Sequence, residues 1–126
     1  MLLDSNILIY AAEPGGEFLD PWVESAAACF ASVTRIEVLG FPRWHLLDEA
    51  RRTRLEILLG TLPELSLDNP VIAMAVASRR EKKFSLGDAI IGATALVHGL
   101  PLITRNDGDF RHIAGIEIIN PFSPTA

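Results

Sequence analysis

Four places along this chain of 126 residues carry carboxylates where strand ends or helix starts can present them together. Asp4 follows the apolar Met1-Leu-Leu, and Glu37 stands between Ile36 and Val38. Asp88 falls in the first turn of an apolar run opened by Ser85, and Asn106-Asp-Gly-Asp109 follows Leu102-Ile-Thr104. Each acid has an ordinary reading: Asp4 as a helix cap, Glu37 as a solvated edge residue, Asp88 as the partner of Ser85 in an S-x-x-D capping box. Their shared placement points further. Two carboxylates about 5 Å apart repel by roughly 3 kcal/mol at an effective dielectric near 20, so a cluster of four requires protons or a cation. Oxygen donors without cysteine or paired histidine select Mg²⁺, with Mn²⁺ as a substitute, over zinc. Such an ion suits hydrolysis of a phosphodiester, because it activates water and offsets charge developing at phosphorus. The sequence contains no Walker loop, no G-x-G-x-x-G and no G-x-S-x-G elbow, which removes the common nucleotide-binding and serine-hydrolase alternatives.

The elements that must position these acids are legible as alternating short apolar strands and helices. Met1-Leu-Leu, Cys29-Phe-Ala-Ser32, Leu65-Ser-Leu67, Leu102-Ile-Thr104 and Ile116-Glu-Ile-Ile119 read as strands. Ile7 to Ala12, Asp20-Pro21 to about Ala28, Arg35 to Leu39 capped by Ser32 or Thr34, Leu46 to Leu59 and Asn69-Pro70 to Arg79 read as helices. Arg79-Arg-Glu-Lys-Lys83 reads as a charged connector. From Gly87 to Val97 the only charge is Asp88, so this segment is a helix buried on most sides, capped by Ser85 and closed by Gly99 ahead of Pro101. Apolar strands without alternation, each followed by a helix, predict an α/β domain over 1–126: a short parallel five-stranded sheet flanked by helices on both faces. In such sheets the strand ends and helix starts of one rim form the binding edge.

Composition sets further bounds. Hydrophobic residues make up 49% of the chain, yet no apolar run reaches the roughly 18 residues of a membrane span. The surplus therefore belongs in a core or an interface, with few aromatics, fitting a homodimer and an apolar partner helix over the region from Ile7 to Leu39. Cys29 is the only cysteine, which rules out an internal disulfide and a Cys-based zinc site. The opening Met1-Leu-Leu-Asp has no basic leader, which points to the cytoplasm. The net charge of −5 argues mildly against a large nucleic-acid footprint, although a cluster of acids at one metal site accounts for much of it. His45, His98 and His112 have no metal-ligand spacing and read as surface or helix-end residues.

Leu3-Asp4-Ser5-Asn6, Ser32-Val-Thr-Arg-Ile-Glu37-Val-Leu-Gly40, Ser85-Leu-Gly-Asp88-Ala-Ile-Ile-Gly-Ala-Thr94 and Leu102-Ile-Thr-Arg-Asn-Asp-Gly-Asp-Phe110 resemble, in order and spacing, the successive motifs of PIN-domain ribonucleases. The resemblance is nearest to the VapC toxins of prokaryotic toxin–antitoxin pairs and spans nearly the whole chain. It implies Mg²⁺-dependent endonucleolytic cleavage of RNA by a water that the ion activates, a homodimer, and neutralisation by a VapB-type antitoxin. Asp4, Glu37 and Asp88 match the family's first three acids. Some members carry the fourth acid where this chain has Asn106, and others use the acid before the phenylalanine, here Asp109. The implied catalytic and metal set is thus Asp4, Glu37, Asp88 and Asp109 with Asn106, and Asp107 stands as the alternative. Ser5, Asn6 and Thr104 are candidates for orienting water or phosphate, with turn and cap roles as their other reading. A catalytically silent PIN-like binding module is the rival reading. A receiver-like phosphoacceptor would want a lysine after the last strand, and none follows Ile119.

Overall fold

The computed structural model describes residues 1–122; the end of the Pro-rich tail, from Ser123 onward, lies outside them. Five short parallel strands form the centre: β1 (Leu2–Leu3), β2 (Phe30–Ala31), β3 (Glu64–Leu65), β4 (Leu102–Ile103) and β5 (Ile118–Ile119). They make two ladders rather than one continuous sheet, a three-stranded β1-β4-β5 and a two-stranded β2-β3. A single parallel bridge between Leu2 and Cys29 joins them, through Leu3 N–H to the Cys29 carbonyl at 2.9 Å and Cys29 N–H to the Met1 carbonyl at 3.0 Å. The expected five parallel strands are present, and the ladder thins to one bridge at the β1/β2 seam.

Strand residues alternate between two cores, as the two-residue period of a strand requires. Leu3, Phe30 and Ile103 pack with Ile7, Leu19 and Leu55 on one face. Leu2, Ala31 and Leu102 pack with Ile91, Ala95 and Phe110 on the other. The first face is covered by α1 (Ser5–Ala11), α2 (Asp20–Val23) and α4 (Glu49–Thr61); α3 is Ser32–Leu39. The second face carries α6 (Leu86–His98), itself paired along its length with α5 (Asn69–Glu81). A one-turn helix, α7 (Asp107–Phe110), follows β4. Helices on both faces of a parallel sheet are what the sequence pattern required.

The buried helix is as its sequence demanded. Ser85 Oγ accepts the Asp88 N–H at 3.2 Å. Gly99 takes a left-handed conformation at φ 62°, and Leu100 N–H reaches back to the Ala95 carbonyl at 2.9 Å in a Schellman closure.

Other boundaries differ from expectation for identifiable reasons. The second helix stops at Val23 instead of Ala28 because Ser25 turns the chain: its Oγ accepts Ala27 N–H at 3.1 Å. α3 begins at Ser32 itself, with no side-chain cap, so neither Ser32 nor Thr34 is a cap. α4 starts three residues late because Asp48 caps it, accepting Arg51 N–H at 2.9 Å; Trp44–Leu46 form a separate 3-10 turn. α5 absorbs Arg79 and Arg80 of the expected connector, where cations suit a helix C-terminus. His112 is not a plain surface residue: its ring meets Phe84 edge-on at 4.7 Å and both ring nitrogens are shut from solvent.

Candidate metal centre

β1 delivers Asp4 to the rim. Its backbone N–H continues the ladder onto the Ile103 carbonyl at 2.9 Å, and the side chain, 4% exposed, does not cap α1. Instead its Oδ2 accepts the Thr104 hydroxyl at 2.8 Å. Thr104 Oγ1 in turn accepts Asn106 N–H at 3.0 Å, tying the end of β4 to the loop after it. Burial pushes the Asp4 carboxyl up to about 6; the Thr104 bond opposes that rise, and the charges of Asp88 and then Glu37 add to it.

Ser5, next along, sits 2.8 Å from Glu37 Oε1 and 2.9 Å from Thr34 Oγ1. A serine has one proton to give, so it serves the carboxylate and Thr34 donates to Ser5. Ser5 and Thr104 are thus engaged with carboxylates, one with Glu37 and one with Asp4. Asn6 is half-buried, and its side chain makes no hydrogen bond among the described residues.

Asp88, one turn into α6, is also raised, by burial first and then by the charge of Asp109, against a Ser85 hydrogen bond. Gly87 lets α6 approach α3: a β-carbon there would lie 2.6 Å from Glu37 Oε2. In the last loop, Asp109 and Asp88 line one cavity. Asp107 turns to Arg111, and that bond, more than the accompanying charge, holds its carboxyl below the usual range. Asn106 is exposed, with its side chain free of hydrogen bonds among the described residues.

The structure therefore places Asp4, Glu37, Asp88 and Asp109 along one rim, Asp4 in the electrostatic reach of Asp88 and Glu37, and Asp88 in that of Asp109. Carboxylate oxygens are the right donors for a hard divalent cation, and two raised carboxyls mark charge that a cation would relieve. Among the described residues, no group of three or more His, Cys, Asp or Glu side chains is already gathered to hold an ion. Sequence reasoning missed Thr34 and Gly87. Thr34 was detectable: three residues before Glu37, it shares that residue's helix face. It also missed Lys82, Lys83 and Phe84 as walls of the cavity beside Asp88.

Residues 1–116 match the family model of the PIN domain. A VapC ribonuclease of Sinorhizobium fredii is 30% identical, the match covering 98% of this chain and 99% of that protein. A toxin–antitoxin complex from Klebsiella pneumoniae contains a chain 32% identical, with a TM-score of 0.74 over 98% of each chain. FitAcB from Neisseria gonorrhoeae has a chain 28% identical, with a TM-score of 0.71 over 96% of this chain and 97% of that one. No helix among the described residues is long and apolar enough to cross a membrane.

Proposed function

The chain belongs to the PIN domain family, and we propose that it is a Mg²⁺-dependent endoribonuclease of the VapC type, a single catalytic domain held in check by an antitoxin. The observation that carries this reading is the rim of Asp4, Glu37, Asp88 and Asp109, with the buried Asp4 carboxyl pushed up to about 6. A site that strains to keep its carboxylates charged is a site prepared for a cation.

In this reading Asp4 and Asp88 would hold the ion, with Glu37, Asp109 and Asn106 as the residues that would complete the set. Mg²⁺, or Mn²⁺ in its place, lowers the pKa of water and offsets the charge that grows on the phosphoryl oxygens. The chain's own part is positioning. Thr104 fixes the Asp4 carboxylate against β4. Ser5, backed by Thr34, fixes Glu37 against α1. Ser85 anchors the turn that carries Asp88. Asn6, next to this network, remains the residue available to orient water or phosphate.

The partner reading draws on the relative from Klebsiella pneumoniae, solved as a toxin–antitoxin complex. Here α3 exposes Ile36 at 73% and Leu39 at 41%, close in sequence to Leu46 at 70%. An apolar antitoxin helix is the cover such a strip requires. A homodimer would cover the same region from Ile7 to Leu39, where Phe18 is 50% exposed as well.

Purified protein incubated with total RNA should cleave it with Mg²⁺ and leave it intact with EDTA, and Asp4→Asn and Asp88→Asn should each be silent. Unimpaired cleavage by both variants overturns the assignment. One observation favours the binding-module reading, namely that no three acids are yet gathered to grip an ion. RNA bound but uncut in both Mg²⁺ and Mn²⁺ would select it.

A further inference from the structure

The cations of this acidic chain are unevenly engaged. Arg35, Arg51, Arg54 and Arg111 are each neutralised by acids, and Arg105 lies over the Tyr10 and Phe122 rings. Arg79, Arg80, Lys82 and Lys83 are all exposed, and none makes an ion pair among the described residues. Within a chain of net charge −5, residues 79–83 thus gather four free cations against the single acid Glu81.

Their position gives this charge a use. Arg79, Arg80, Lys82, Lys83 and Phe84 line a surface cleft of about 600 Å³. Lys82, Lys83 and Phe84 also line a second cavity of about 230 Å³, whose far wall is Asp88 and Asp109. The two cavities therefore adjoin through these three residues, and the path runs from the end of α5 to the acids of the rim. The half-buried Phe84 meets the His112 ring edge-on at 4.7 Å, and His112 lines the second cavity too. A row of cations ending on an aromatic surface is the pattern that binds single-stranded nucleic acid, phosphates on the cations and a base on the ring.

We propose that residues 79–84 are the track for the substrate strand: Arg79, Arg80, Lys82 and Lys83 hold successive RNA phosphates, and the cavity between Phe84, His112 and Asp109 receives the nucleotide beside the scissile bond. The proposal rests on the nuclease reading for what happens at the rim, but not for binding itself. It also answers a difficulty of that reading, since an acidic rim repels a polyanion and needs a local positive field to admit one.

The test measures binding of a fluorescent single-stranded RNA of about twelve nucleotides to the full chain carrying Asp88→Asn, at several salt concentrations. Adding Lys82→Ala and Lys83→Ala should weaken binding about tenfold and flatten the log–log salt slope by about 1.4, roughly 0.7 per lost phosphate contact. Adding Arg43→Ala and Arg52→Ala, two other arginines that meet neither an acid nor an aromatic ring among the described residues, should change neither. With Asp88 intact, the Lys82→Ala/Lys83→Ala protein should bind Mn²⁺ at least as tightly as the unsubstituted chain, which a general loss of fold would not allow. Unchanged RNA affinity and slope in the lysine variant overturn the track, as does a loss confined to binding of an acidic protein partner. If the chain with Asp88 intact cuts no RNA with Mg²⁺ while the lysines still govern RNA binding, the nuclease reading fails and the track stands.

Discussion

The Thr104 hydroxyl donates to Asp4 Oδ2 at 2.8 Å, joining residues 100 positions apart in the chain. It spans the β1/β4 ladder at the carboxyl rim, where Asp4 N–H already bonds the Ile103 carbonyl at 2.9 Å. The same oxygen of Thr104 accepts Asn106 N–H. One hydroxyl thus sets both the first acid and the start of the loop that carries the last. Thr104→Val keeps the shape of the side chain and removes that link. It should cost about 1–3 kcal/mol, the usual effect of stranding a buried carboxylate partner, and should weaken Mn²⁺ binding. Urea unfolding at pH 8 and calorimetric titration measure the two effects; a variant with parental metal affinity would make Thr104 merely structural.

Asp4 titrates near 6 in the folded protein against 3.8 for an ordinary aspartate, chiefly because it is buried. A raised carboxyl keeps its proton in the folded state where the unfolded chain has lost it. The contribution of Asp4 to the stability of the metal-free protein should therefore fall as pH rises from about 4 to about 6, and remain lower above that, by about 3 kcal/mol in all. Asp4→Asn should remove that contribution and leave the one from Asp88: at pH 8 it should melt roughly 5–10 °C higher than the parent, and at pH 4 the two should nearly coincide. In parallel, protons should compete with Mn²⁺ below pH 6, weakening its affinity about tenfold per pH unit. A variant that melts lower than its parent at pH 8 would contradict the burial account.

Gly87→Ala separates stability from activity. Alanine favours the helix by about 0.5–1 kcal/mol, and the new methyl would meet only the mobile end of Glu37, 2.6 Å from its Oε2. The carboxylate must swing away and leave Ser5, so cleavage should drop about tenfold or more while the melting temperature holds or rises. Equal loss of both would place the effect in the fold instead.

The acids were visible in the sequence because each follows a strand end or opens a helix, and those signals are local. Ser85 and Gly99 specify the ends of α6 by cap chemistry alone, and the structure agrees. What stayed hidden was set by contacts distant in sequence. Nothing within α1 says that Ser5 will meet Thr34 and Glu37 some thirty residues on. The apolar run after Asp20-Pro21 looks helical to Ala28, yet Cys29 is needed against β1 and Ala28 N–H turns back to the Ser25 carbonyl, so the helix ends early. The ladder's near-break beside Leu2 is equally illegible, since the pattern of strands does not register how many hydrogen bonds join them.

The loop after β4 offers Asn106, Asp107 and Asp109 for the last ligand, and their surroundings separate them. Asp107 is tied to Arg111, which caps the C-terminal end of the short helix that Asp107 opens, and that bond already satisfies its charge. Asn106 is exposed and brings an amide oxygen without charge, although its N–H is fixed by Thr104. Asp109 shares a cavity wall with Asp88 and raises that residue's carboxyl through its own charge; the neighbouring Phe110, fully buried, holds it there. Charge facing charge is the arrangement a cation relieves, so Asp109→Asn should weaken Mn²⁺ binding most, Asn106→Ala less, and Asp107→Asn least. Asp109→Asn should also let the Asp88 carboxyl fall toward its ordinary value, which carbon-detected NMR titration of the metal-free protein reads without any assay of cleavage. If Asp107→Asn alone loses the metal, Arg111 is a latch that releases its acid to the ion, and Asp109 is only a neighbour.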